Sequence, residues 1–156
     1  MKTYLLEIKY EFLKALRMPQ YALPTILFPI VFYLFFGVVF GQRNTGGVKM
    51  SEYLIATYGA FGVIGAALFG FGVSVAVERG QGWLEVKRIT PMPIGAYFVA
   101  KLAMAMIFSA IIVLLLMIVG TTMGGVRLEP LEAITLLAVL VTGSITFCAL
   151  GLALGF

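Results

Sequence analysis

The chain has 156 residues, 62% of them hydrophobic and only 12% charged, whereas a soluble domain is about a quarter charged. A water-soluble fold of this length would still expose roughly a third of its surface, so it could not hide this much apolar area, and the bilayer is the solvent that fits. All seven acids are glutamates and histidine is absent, which removes the commonest metal ligand and general base; the net charge of +4 sits between apolar runs, where basic residues set membrane orientation rather than hold nucleic acid.

Residues 1–18 carry Leu5, Ile8, Phe12 and Leu16 at helical spacing, with Glu7, Glu11 and Lys14 on the opposite face. Lys9 lies near the apolar face, where its long side chain can snorkel. The pattern predicts an amphipathic helix lying along the membrane surface, with a soluble helix packed on a partner as the alternative. Met18-Pro19 ends it, because the residue before a proline disfavours helix.

Four stretches then lack any charge: 18–42, 53–77, 102–126 and 133–156, of 25, 25, 25 and 24 residues. About 20 helical residues cross the ~30 Å hydrocarbon core, so each can span. The expected spans are about 20–41, 53–77, 97–119 and 133–156, making an all-α polytopic membrane bundle in a single transmembrane domain over 1–156. The first apolar run exceeds the roughly 7–15 residues of a cleaved signal peptide, and no small-x-small cleavage site follows it before Gly41. Pro24 and Pro29 inside that run are candidate kinks.

The short flanks hold eight basic residues on one side, in 1–17 and 79–101, and three on the other: Arg43, Lys49 and Arg127. The positive-inside rule therefore places the N terminus and the second loop in the cytoplasm. The loops around Arg43 and Arg127 face outside and are too short to form domains.

Gly62, Ala66 and Gly70 recur every four residues in the second span, and Gly151 and Gly155 do so in the fourth. Small residues let membrane helices approach closely, either within one bundle or at a subunit interface. Cys148 lies in an apolar run and reads as a small packing residue. The spans hold no acid and no histidine, and Lys101 is the one ionisable candidate at depth. It is placed near the cytoplasmic end of the third span, where it can snorkel to the interface. An ion-driven carrier usually needs a group that changes charge within the membrane, so the driving energy is expected to come from elsewhere. The chain has no G-x-x-x-x-G-K-[ST] to cradle phosphates, no metal cluster and no nucleophile–base pair, so no catalytic site is expected in it.

The segment 78–96 is the expected cytoplasmic loop. Glu78 and Arg79 stop the second span, Gly80 and Gly82 break the helix, and a short apolar-plus-basic piece, 83–89, precedes the turn at Pro91 and Pro93. Trp83 beside Lys87 and Arg88 suits docking into a partner's cleft, since aromatic and arginine side chains are favoured anchors. A solvated loop whose charges only fix topology is the alternative.

This segment resembles the loop of type-2 ABC exporter permeases, whose pattern is roughly E-R-x-x-G-x-L-E-x-[LVK]-R-x-x-P followed by a lysine about ten residues on. Glu78, Arg79, Gly82, Leu84, Glu85, Arg88, Pro91 and Lys101 fall in place. Trp83 stands where that family often has threonine or a small residue. The N-terminal helix ending in Arg17-Met18-Pro19 and the span containing Pro29 are also similar to that family.

The resemblance implies a permease subunit of a multi-pass exporter in the plasma (bacterial inner) membrane, moving a drug, lipid-like or polysaccharide substrate. A second permease subunit would face it, as a homodimer or heterodimer, and a cytosolic ATP-binding subunit would dock on a coupling helix in this loop. Glu78, Arg79, Gly82, Trp83, Leu84, Glu85, Lys87, Arg88 and Pro91 would make that contact. No cofactor is expected on this chain; ATP and Mg would sit on the partner. The family has six spans and this chain reads as the first four, so it is expected to be truncated, with a natural half-length subunit as the alternative. An ion-coupled four-span transporter and a non-transporting membrane scaffold are the competing readings.

Overall fold

Where side chains carry no charge for about 25 residues, a backbone in lipid satisfies its own polar groups most directly as a helix. A computed structural model describes residues 2–41, 44–45, 48–83, 85 and 93–155. Among the described residues five helices are laid out, four of them long and apolar enough to cross a membrane. They are α1 (Lys2–Leu16), α2 (Pro19–Val38), α3 (Met50–Gly80), α4 (Ile94–Thr122) and α5 (Pro130–Gly155).

Helix α1 ends at Leu16. Met18 takes φ −99° and ψ 84°, outside the helical region, and Pro19 opens α2, a position where its missing N–H is no loss. The Met18 carbonyl accepts from the amides of Tyr21 and Ala22, both at 3.0 Å, and so starts the new helix. Helix α2 stays α-helical through Pro24 and Pro29 to Tyr33 and widens into one π turn at Leu34–Val38. A two-residue antiparallel pair, β1 (Asn44–Thr45) with β2 (Val48–Lys49), precedes α3. Helix α3 begins at Met50, earlier than the charge-free run, and keeps Glu52 in its first turn, where an acid suits the positive end of the helix dipole. Its middle, Ala66–Val73, is a π-helix, and Ser74–Gly80 returns to α.

Helix α4 is the centre of the bundle. Phe108 packs edge-on against Phe12 of α1 at 5.7 Å between centroids and against Tyr21 of α2 at 5.6 Å. Ile112 and Leu116 share a buried cluster with Tyr33 and Ile55. On another side, Ala105 joins Cys148 of α5 and Phe71 and Val75 of α3. Cys148 is a buried free thiol in this contact. The α4 helix closes at Gly125, φ +62°, with the Val126 amide donating to the Gly120 carbonyl at 3.1 Å. Pro130 opens α5, and the Glu132 carboxylate accepts from the Glu129 amide at 3.3 Å. Hydroxyls inside the spans return to their own helix: Ser109 to the Ala105 carbonyl at 2.8 Å and Thr142 to Ala138 at 2.6 Å. Such return bonds hide a polar group from lipid at little structural cost.

Candidate functional site

Three helices each bring two polar side chains to one point. Glu11 and Lys14 are three apart on α1, Ser74 and Glu78 four apart on α3, and Tyr97 and Lys101 four apart on α4. Each spacing places its pair on one helix face. Lys101 is fully buried about two turns into α4. Its ammonium has three protons to give and finds three acceptors: Glu11 Oε1 at 2.6 Å, Ser74 Oγ at 3.0 Å and Glu78 Oε1 at 3.2 Å. The Tyr97 ring lies 5.2 Å from the same nitrogen, close enough for a cation–π contact.

Glu78 is the second node. Its Oε1 also accepts from Lys14 Nζ at 2.5 Å, and its Oε2 from the Tyr97 hydroxyl at 2.5 Å. Lys14 stands at the rim, with its side chain half exposed. Burial pulls the Lys14 ammonium down, but the bond to Glu78 and the charges of Glu11, Glu78 and Glu7 outweigh it and raise the pKa above 10.5. Two glutamates and two lysines cancel, so the cluster adds no net charge to the bundle.

A cleft of ≈ 350 Å³ opens beside the cluster, with Met18, Tyr21, Phe69 and Val73 as apolar walls and Glu11, Ser74 and Lys101 among its polar lining. Among the described residues, no three histidine, cysteine or carboxylate groups gather to hold a metal. The two carboxylates of the cluster are already taken by lysines.

The structure corrects two expectations. Lys101 does not snorkel to the interface; it turns inward, because two carboxylates and a hydroxyl replace water there. Nor is the polar face of α1 wholly turned to water: Glu11 is buried in the ion pair with Lys101.

Of the expected loop contacts, Glu78 sits in the cluster and Arg79 is exposed on the last turn of α3. Gly82 takes φ +75°, a left-handed conformation that favours glycine. Trp83 is 54% exposed and Glu85 is exposed. Leu84, Lys87, Arg88 and Pro91 lie outside the described residues.

The small residues pack within the chain. A Cβ on Gly62 would lie 2.7 Å from Ile112 and 3.0 Å from Pro29. Gly70 lies under the Tyr21 phenol, whose hydroxyl donates to the Ala66 carbonyl at 3.3 Å. Gly151 meets the backbone of Gly72, and Gly155 is the last residue of α5.

Sequence reasoning missed Glu11, Lys14, Ser74 and Tyr97 as partners. The signal was present in part. A lysine inside an apolar run needs a counter-charge, and the acids expected on the same side of the membrane are only Glu7, Glu11, Glu78 and Glu85.

A family model described as ABC-2 type transporter matches residues 4–156. A Bacillus subtilis (strain 168) protein named "Putative transport permease YvfS" is 25% identical over 145 residues, which cover 93% of this chain. The chain spans 59% of that protein's length. No solved structure matches.

Proposed function

The chain belongs to the ABC-2 type transporter family of multi-pass, non-catalytic membrane permeases, and from that premise we propose that it is the permease subunit of an ATP-driven exporter. In this reading it moves a substrate of the drug, lipid-like or polysaccharide class out of the cytoplasm. A separate cytosolic subunit binds ATP and Mg and hydrolyses the nucleotide, and a second permease subunit completes the path. The N terminus and the segment between α3 and α4 face the cytoplasm, as the bias of basic residues favours.

The observation that carries the proposal is the burial of Lys101 between Glu11 and Glu78. Glu78 and Lys101 bracket the connecting segment, and their ion pair ties its two ends together. Glu11 adds the surface helix to the same unit. A partner pressing on the exposed Trp83 therefore acts on three helices at once and not on a slack loop. The ion-coupled alternative needs a free titratable group at depth, and Lys101 is spent in structural bonds.

The test is capture of an ATP-binding subunit co-expressed with the tagged chain and purified from detergent-solubilised membranes. Loss of an interface anchor costs about 2 kcal/mol or more, so Trp83→Ala with Arg88→Glu should lower recovery at least about tenfold. Undiminished capture by that double variant would overturn the docking assignment.

A further inference from the structure

Helices α3 and α4 run side by side through the same bundle, yet they are built differently. α4 is one uninterrupted α-helix, Ile94–Thr122. α3 is two α-helical pieces, Met50–Gly65 and Ser74–Gly80, joined by the π segment Ala66–Val73. We infer that Ala66–Val73 is a hinge in α3, latched by Ser74, at which the inner piece Ser74–Gly80 turns while α4 stays straight.

Three observations lead there. First, the two pieces of α3 are held differently. The outer piece packs through Ile55 and Val63 into apolar clusters around α4. The inner piece buries Val75 in an apolar cluster with Ala105 and Cys148 and adds polar ties from Ser74 and Glu78 to groups of α1 and α4.

Second, the π segment gives up regular i→i−4 bonding, and side chains attend to its carbonyls. The Tyr21 hydroxyl donates to Ala66 O at 3.3 Å. The Ser74 hydroxyl lies 2.6 Å from Gly70 O and 3.1 Å from Phe71 O. In a bilayer an unsatisfied carbonyl is costly, so these bonds select the widened geometry. Ser74 in turn accepts from Lys101 Nζ at 3.0 Å. The bonds run from the buried ammonium through one hydroxyl to the carbonyls of the π segment.

Third, the segment's neighbours are smooth. Gly70 faces the Tyr21 phenol and Gly72 faces the backbone of Gly151, so no side chain of these two residues interlocks with α2 or α5. Short π segments inside α-helices are common at functional sites and are among the few structural causes of sharp helix kinks.

Ser74 is thus a positioning residue: it bonds to Lys101 and to carbonyls of its own helix, and it acts by holding the hinge to Lys101. The hinge is a property of this chain alone, tested without an ATP-binding subunit, so its failure and the failure of the permease reading are separable.

The experiment uses the full chain in lipid nanodiscs with Cys148 replaced by alanine. Spin labels go on Val77 of the inner piece and Val99 of α4, both exposed, and their separation is read by dipolar spectroscopy. A bend of about 20° at the end of the π segment moves position 77, roughly 6 Å beyond it, by about 2 Å. The Ser74-containing chain should give one narrow distance, Ser74→Ala a broadened or second distance of that size, and Ser74→Thr the original one. A narrow distance unchanged in Ser74→Ala, or lost equally in Ser74→Thr, would overturn the latch. Amide exchange on the unsubstituted chain covers the case in which Ser74→Ala does not fold. Residues 66–73 should exchange about tenfold faster than 50–65 and 74–80, as expected of a locally opening unit. Uniform protection along α3 would overturn the hinge.

Discussion

At the end of the bundle that the proposed orientation turns inward, polar side chains of three helices answer one another: Lys101 fills its three donor positions, and Glu78 uses both oxygens. The outer end is held differently. Tyr33 is fully buried and Ser51 nearly so, and among the described residues neither hydroxyl has a partner. Tyr33 is held there by shape, pressed against Gly37, Gly120 and Gly124, which have no side chains to displace it. The inner end is therefore joined by directional bonds that can be exchanged for others. The outer end is joined by close packing, which gives no alternative arrangement to switch into. An ATP-driven device of the proposed kind needs its movable joint where its partner pushes, and in that reading the polar end would supply it.

The largest test of this contrast removes the node. Lys101→Met keeps most of the side-chain length and deletes the charge, leaving the buried Glu11 and the partly buried Glu78 with Lys14 as their remaining cation. Breaking a buried pair by removing one partner costs about 3–5 kcal/mol. Unfolding in mixed micelles should show a loss of that order, and Glu11→Gln added to Lys101→Met should recover part of it. A double variant no better than the single would mean that Glu11 contributes nothing to the cluster.

A smaller effect separates glycines required by packing from glycines that are not. A Cβ on Gly72 would stand 2.8 Å from both the Cα and the carbonyl oxygen of Gly151, and backbone cannot rotate aside. Gly72→Val should therefore cost about 1–3 kcal/mol, the usual range for overpacking. A Cβ on Gly65 meets nothing within 4 Å, so Gly65→Ala should gain up to about 1 kcal/mol from helix propensity. The same unfolding assay decides both, and equal effects would contradict the α3–α5 approach at Gly72 and Gly151.

The four apolar helices were legible because lipid excludes charge: each uncharged run falls on one of α2 to α5, with ends offset by three to eight residues in α3 and α4. Their inner ends were less legible for the same reason. Reading charge as a stop ends the second span before Glu78, but α3 continues through it to Gly80. It also leaves Lys101 alone at the edge of the third span, whereas α4 begins seven residues before it and buries it between helices. A one-dimensional pattern treats each charge alone, and whether a charge ends a helix depends on its partners. Glu11, 90 positions from Lys101, was invisible as such a partner. Its helix was legible, and Phe12 of the periodic apolar face does pack inward on Phe108, but the burial of Glu11 depends on that ion pair. Ser74 gave no signal at all: serine in a span usually bonds back to its own helix. Here it does so to Gly70 and also accepts from Lys101.

The smallest test returns to the outer end. If Tyr33 is held by shape alone, its hydroxyl is a cost without a return. Tyr33→Phe keeps the ring against Gly37, Gly120 and Gly124 and removes the unpartnered group. Deleting a buried polar atom that has no partner should be neutral or stabilising, by up to about 1 kcal/mol. Ser51→Ala should behave alike. The inner-end counterpart, Tyr97→Phe, removes a hydroxyl that donates to Glu78 and should lose about 1.5–3 kcal/mol, the range for a hydrogen bond to a charged group. The sign of the change thus reports which end of the bundle uses its tyrosine for bonding. A loss at Tyr33 equal to that at Tyr97 would show that the outer hydroxyl has a partner after all and that the two ends are built alike.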